Sequence, residues 1–364
     1  MDHRVVSVVN GGVEQTTLLL QQKFDHIFFT GSISVGKIVY KAAVESMCPV
    51  VLELGGKSPV YVDKDMDPRV AAKRILWAKT LNSGQTCIAP DYILCHEDKI
   101  QSFVAGLQLA QSELFGQKVK ESRDYSRIVN SGHFDRLRGV LVDQLKTNPK
   151  CKVVMGGING FDKDQNFIPP TVITGVQKND PIMDPDCEIF GPILPIVSVS
   201  GHQEAIDFVN NQRDLPLALY VFSRSDTVAR NILDATNSGC AMVNDIMMNM
   251  AVHDLPFGGV GASGIGAYHG KAGFETFTHK RSVLKRPAGF EFLNEVRYSP
   301  FSKLKMAVIQ KIIKKPIPSR DLPLFAVAIK RFIRCWGSEI LVAAAALALG
   351  FYAGRKENPS FIPW

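Results

Sequence analysis

The sequence predicts an α/β protein built on an open, largely parallel sheet, and three observations carry that reading. Short apolar runs alternate with stretches of helical spacing through the body of the chain. Glycine clusters punctuate that alternation, at Gly31, at Gly55-Gly56 and at Gly258-Gly259. No internal repeat or low-complexity linker interrupts it. A chain of 364 residues can bury a large core and is expected to make two domains.

The elements follow in order. Residues 1–22 open without a clear domain start, and residues 24–29 then read as a buried strand broken at Thr30-Gly31-Ser32. Residues 34–46 have helical spacing, with Val35, Ile38, Val39, Ala42 and Ala43 predicted on one face. Residues 50–54 form a second strand, ended by Gly55-Gly56. A helix over 68–81 leads into the loop NSGQTCIAPDY, residues 82–92, and a strand begins at Tyr92. Beyond it come helices at 99–113 and 132–146 and strands at 152–155 and 193–199. Helix 203–210, strand 218–222 and helix 227–235 complete the alternation, and a glycine cluster at 256–264 closes the body.

Composition excludes several classes. Hydrophobic residues at 46% and charged ones at 21% are ordinary for a folded soluble chain. The formal charge of +7 resembles that of a nucleic-acid binder, but its distribution argues otherwise. From Lys285 onward there are 14 Lys+Arg against 5 Asp+Glu, leaving 28 against 30 in residues 1–284. The basic surplus belongs to the tail, and no nucleic-acid motif accompanies it. Seven cysteines form no CxxC pair, and no Cys or His pair stands at zinc spacing. Reduced thiols and no structural metal are expected.

Four places carry chemistry. Cys87 lies on a glycine loop at an element boundary, where backbone donors can face an ionised thiol, although a loop cysteine is more often structural. Glu53 ends a strand at the carboxyl edge, where open α/β sheets bind ligands. Burial would raise such a carboxylate toward the range of a general base; the plainer reading pairs it with Lys57. Gly31, Ser32 and Gly36 make a glycine turn at a helix N-terminus, suited to a pyrophosphate, though the pattern is neither GxGxxG nor a Walker loop. Glu188 and Phe190, in Cys-Glu-Ile-Phe-Gly-Pro, offer a carboxylate for ribose hydroxyls and a ring for a flat group; the plainer reading is a turn before strand 193–199.

The ordered set FFTGS, VGK, LELGGKSP, NSGQTCIAPDY, EIFGPILPIV and PFGGVGASGIGAYHGKAGFETF resembles the aldehyde dehydrogenase family, in wording closest to its class 3 group. The resemblance runs from about Val8 to about Leu284. It implies that Cys87 attacks an aldehyde carbon, that a thiohemiacetal becomes a thioester, and that Glu53 activates the water that releases the acid. It implies that Glu188 and Phe190 hold a nicotinamide ribose, that Gly31, Ser32 and Gly36 lie near the phosphates, and that the cofactor is NAD or NADP. Asn244 and His253 fall near the substrate side of the match and receive no role. The resemblance further implies an N-terminally truncated chain, lacking early cofactor-domain strands and an oxyanion asparagine.

The expected layout is a partial NAD-binding domain at 1–53, an incomplete Rossmann-like unit, and a catalytic thiol domain at 54–262. A closing or oligomerisation segment at 263–290, a basic linker at 291–336 and a membrane-associating tail at 337–364 complete it. The uncharged run 340–353 is shorter than the roughly 20 residues of a full span. Basic residues flank it on both sides, at Lys330, Arg331 and Arg334 and at Arg355 and Lys356. Resemblance to the fatty aldehyde branch then implies a homodimer on the endoplasmic reticulum membrane, facing the cytosol, with medium- to long-chain aldehydes as substrates. Two alternatives stand beside it: an acyl-transferring relative, against which Glu53 argues, and a catalytically silent membrane-anchored partner of full-length subunits.

Overall fold

The computed structural model describes residues 2, 4–286, 288, 289 and 291–314; the 340–353 run and its flanks lie outside them. Met1–Lys280 form one compact unit. It begins with helix α1 (Val13–Leu20), strand β1 (Ile27–Thr30), helix α2 (Ile33–Glu45) and strand β2 (Val50–Glu53). Strand β3 (Pro59–Val62), helix α3 (Pro68–Thr80), strand β4 (Tyr92–His96), helix α4 (Ile100–Phe115) and helix α5 (Ser131–Thr147) follow. Then come β5 (Lys152–Met155), β6 (Thr171–Thr174), β7 (Ile193–Val199), α6 (His202–Asn210), β8 (Ala218–Phe222), α7 (Asp226–Ala235), β9 (Cys240–Val243), β10 (Gly264–Ile265) and α8 (Gly270–Thr276). In the second unit the described residues contain a 3-10 segment, Glu291–Arg297, and helix α9 (Lys303–Ile313). Among the described residues no helix is long and apolar enough to cross a membrane.

The larger sheet has seven strands in the order β5-β6-β7-β4-β3-β8-β9. All its pairs are parallel except β5 with β6. Alternate residues of the central strands enter two separate cores. Val60, Ile93, Ile196 and Tyr220 join α3 and α4 on one face, while Tyr61, Leu94, Val197 and Val221 join α5, α6 and α7 on the other. The flanking helices start where their sequences allow: Asp67 caps α3 ahead of Pro68, Asn130 caps α5 and Ser225 caps α7. Gly106 lets α4 cross α3 closely, since a Cβ there would sit 2.9 Å from the Pro68 carbonyl oxygen.

The smaller sheet has the order β1-β2-β10, with β1 and β2 parallel and β10 antiparallel to β2. Its two faces differ. Ile27, Phe29, Val50 and Leu52 pack with Val39 of α2 and with Leu54. Phe28, Val51 and Glu53, being of opposite parity, point to the other face. The expected buried strand at 24–29 is therefore shifted and only half-buried, with Phe28 38% exposed. The α2 stripe is likewise narrower than predicted: Val39 and Ala43 are buried while Val35 and Ile38 face outward.

Candidate active site

Glu53 closes β2, the middle strand of the smaller sheet, and its position is fixed from both sides. The Gly31 N–H donates to the Glu53 carbonyl at 3.1 Å, and Leu54 N–H donates to the Ser263 carbonyl at 3.0 Å. The side chain is 3% exposed, and neither carboxylate oxygen has a hydrogen-bond partner. Burial without compensation pushes this carboxyl up to about 8. The plainer pairing with Lys57 does not occur. Lys57 instead forms a short, buried ion pair with Asp91, and it also donates to the Ile182 carbonyl at 2.9 Å and the Cys187 carbonyl at 2.8 Å.

Cys87 lies on the loop between α3 and β4. Asn82 and Ser83, with φ of 50° and 54°, and Gly84, with φ of 74°, make three successive left-handed residues that turn the chain sharply out of α3. Only glycine fits the third place, because a Cβ there would meet the Gly191 carbonyl oxygen at 2.4 Å. Gln85 ties the loop down: its amide donates to the Asn82 and Arg127 carbonyls at 2.9 and 3.0 Å, and its oxygen accepts from Val129 N–H at 2.9 Å. The half-buried Cys87 thiol is pushed up to about 11, first by burial and then by the negative charges of Glu188 and Glu53. The Cys87 and Ile88 N–H groups oppose this shift.

The loop carrying Glu188 and Phe190 meets this one from the other side. The Asp91 carboxylate accepts from Ile189 N–H at 2.8 Å, so one carboxylate joins Lys57, the end of the thiol loop and the Glu188 segment. Arg136 of α5 donates to the Glu188 and Ile189 carbonyls at 3.2 and 2.8 Å. The Glu188 carboxylate lies against Gly55, where a Cβ would come within 2.1 Å of it. Its acidity is weakened to about 7, chiefly by burial and then by Asp91. Phe190 has φ of 47°, a left-handed backbone that a bulky residue rarely adopts. Lys79, 2% exposed, donates to the Pro90 carbonyl at 2.7 Å and is pushed down to about 8 by burial.

Gly31 and Ser32 stand at the start of α2, where Ser32 Oγ accepts from Val35 N–H at 3.4 Å. Gly36, one turn on, lets Leu54 pack on the helix, since a Cβ there would lie 2.5 Å from a Leu54 methyl. The structure thus places Glu53 and Glu188 each within electrostatic range of Cys87, with the α2 N-terminus joined to Glu53 through the backbone. Asn244 serves elsewhere: its side chain brackets Ser223, accepting from the N–H at 2.9 Å and donating to the carbonyl at 2.7 Å. His253 lies 6.0 Å ring to ring from His269. The sequence reading missed Lys57 as a strut and omitted Lys79, Asp91 and Arg136. Only Asp91 gave a local signal, as a charge set between Pro90 and an apolar strand. Among the described residues no cluster of His, Cys, Asp and Glu could hold a metal ion.

A loop thiol beside a buried, unpaired carboxylate, on a doubly covered α/β sheet joined to a smaller sheet with a helix N-terminus, defines a class of thiol-bearing α/β sites. Residues 1–283 match the aldehyde dehydrogenase family, and the chain belongs to that family. Among its relatives, aldehyde dehydrogenase family 3 member A2 of Rattus norvegicus is 48% identical over 307 residues, covering 84% of this chain and 61% of that protein. The Rattus norvegicus protein named aldehyde dehydrogenase, dimeric NADP-preferring, is 48% identical over 300 residues, covering 82% of this chain and 64% of its own length. The solved substrate-bound state of Staphylococcus aureus AldH superposes with a TM-score of 0.75 at 41% identity, covering 86% of this chain and 66% of that one. Mycobacterium tuberculosis aldehyde dehydrogenase complexed with NAD+ gives a TM-score of 0.68 at 29% identity, over 77% of this chain and 57% of that one. The chain spans about three fifths of the length of the curated relatives it matches.

Proposed function

We propose that the site oxidises aldehydes to carboxylic acids through an acyl thioester on Cys87, with Glu53 as general base. The observation that carries this reading is the Glu53 carboxylate, buried, unpartnered and in electrostatic range of the Cys87 thiol. The thiolate of Cys87 adds to the aldehyde carbon, and the carbonyl oxygen becomes an alkoxide facing the loop N–H groups. NAD or NADP, when bound, supplies the hydride acceptor that turns the thiohemiacetal into a thioester. Water then gives a proton to Glu53 and adds to the acyl carbon. The C–S bond breaks, and the acid leaves as the thiolate is restored.

The residues present fit a dinucleotide. Glu188 and Phe190 would hold the nicotinamide ribose, with the Glu188 carboxylate seated against Gly55, where a Cβ would leave it no room. Gly31, Ser32 and Gly36 would serve the phosphates at the start of α2. The relative named as dimeric supports a homodimer as the assembly; medium- to long-chain aldehydes as substrates rest on the sequence resemblance to the fatty aldehyde branch. Membrane association rests on the apolar run 340–353 and its basic flanks, and the endoplasmic reticulum on the resemblance to the fatty aldehyde branch.

The test is mass spectrometry of the intact chain after incubation with an aldehyde and NAD. An acyl adduct on Cys87 that accumulates in Glu53→Gln and is missing in Cys87→Ala supports the reading. An adduct on another residue, or none in either variant, refutes it.

A further inference from the structure

One aromatic group on the Glu53 face of the smaller sheet has no part in the reading above. Tyr268 follows β10, and its backbone pairs with Phe257 through reciprocal bonds of 2.9 and 2.8 Å. Its ring is held edge-on by Phe28 at 5.0 Å, by Phe257 at 5.7 Å and by His269 at 4.6 Å. The contact with Phe28 decides which face it occupies. Phe28 pairs with Val51 and Thr30 with Glu53, so Phe28, Val51 and Glu53 share the face opposite the α2 core. Gly266, two residues before the tyrosine, lies on that face too, since a Cβ there would sit 3.0 Å from a Val51 methyl. Tyr268 therefore stands on the side of the sheet from which the Glu53 carboxylate projects. Its hydroxyl makes no hydrogen bond to any described residue. Burial and then the charges of Glu53 and Cys87 push its pKa above the ordinary phenol value, so the phenol stays neutral.

We propose that Tyr268 is a further catalytic residue of the hydrolytic step, its phenol oxygen accepting one O–H of the water whose other proton passes to Glu53. Two acceptors then fix both O–H bonds of the water, and a lone pair is left facing the acyl carbon on Cys87. No proton is exchanged with the phenol. The three ring contacts hold this second acceptor in place before water arrives. The inference rests on the thioester reading, and the experiment separates the two.

The full chain is mixed with p-nitrophenyl acetate and no nicotinamide cofactor. The thiolate attacks the ester carbonyl, nitrophenolate leaves, and the acyl thioester is reached without hydride transfer. Wild type and Tyr268→Phe are expected to release the same initial burst of nitrophenolate, absent from Cys87→Ala. The steady phase that follows, which reports thioester hydrolysis, falls roughly three- to tenfold in Tyr268→Phe, the worth of one neutral hydrogen bond. The pH midpoint of that phase stays where Glu53 sets it. Equal steady phases overturn the role of Tyr268 and leave the thioester reading intact. A burst that shrinks together with the steady phase assigns the hydroxyl to the fold or to acylation and also overturns the proposal. A wild type with no burst, or with one that survives Cys87→Ala, overturns the thioester reading and this inference together.

Discussion

Glu53→Gln is the substitution whose consequence the structure sets most closely. The folded carboxyl is raised from 4.5 to about 8 by burial. The native chain therefore binds this proton more tightly than the unfolded chain does. Native stability is greatest below the unfolded midpoint and declines as pH climbs through the folded one. Taken over the interval from 4.5 to about 8, the full loss is on the order of 4–5 kcal/mol, complete above pH 8. Glutamine is isosteric and does not ionise, so Glu53→Gln escapes this loss. The variant is expected to gain on the wild type by ~3–4 kcal/mol between about pH 5 and about pH 9. Urea titrations followed by tryptophan fluorescence at several pH values measure this directly. A stability difference that is flat across that range, or that shrinks as pH rises, would show that the carboxylate is not held in an uncompensated site. The same variant loses thioester hydrolysis, so one change stabilises the fold and stops the proposed chemistry. At pH 7 only about a tenth of the wild-type carboxyl is ionised, and the hydrolytic rate should climb toward a plateau above about pH 8.

Three further outcomes follow from the loops around it. Alkylation of Cys87 by iodoacetamide should rise with pH toward a midpoint of about 11, and Glu188→Gln should lower that midpoint because it removes the larger neighbouring charge; labelled-peptide mass spectrometry reads both, and an unmoved midpoint refutes the coupling. Lys57→Met leaves Asp91 buried without its cation and should cost about 3–5 kcal/mol in urea titration, whereas an exposed pair would cost under about 1 kcal/mol. Gly84→Ala forces a side chain into a left-handed position against the Gly191 carbonyl, and a loss of about 1–3 kcal/mol with slower Cys87 acylation is expected; a neutral result would refute the close contact between the two loops.

Much of this was legible in the chain itself, and what was not has physical causes. Strands 152–155, 193–199 and 218–222 match the observed bounds, because each is an apolar run bounded by turn residues. The helices differ by a residue or two at their ends; the caps Asn130 and Ser225 start α5 and α7 one residue earlier than expected, at Ser131 and Asp226. Strands β3 and β6 escaped notice, since Pro59 opens the first and threonines stand at both ends of the second, and β10, of two residues, exists only through its pairing with β2. Helix α1 buries none of its residues, so it left no apolar stripe to read. In the site, position alone left Cys87 and Glu53 with plainer readings, and the ordered set of motifs that resembles the family singled them out. The struts did not, for Lys57 meets Asp91 across 34 residues and Arg136 meets Glu188 across 52, separations that no local pattern encodes.

The ion pair beneath the two loops has a bearing on how this scaffold can be altered. Because Asp91 binds both Lys57 and the Ile189 N–H, the thiol segment and the Glu188 segment are bolted to one bracket. Grafting either segment from a relative without its counterpart would leave the bracket mismatched. Exchange of the two as a unit, with residues 57 and 91 retained, is the swap this architecture tolerates.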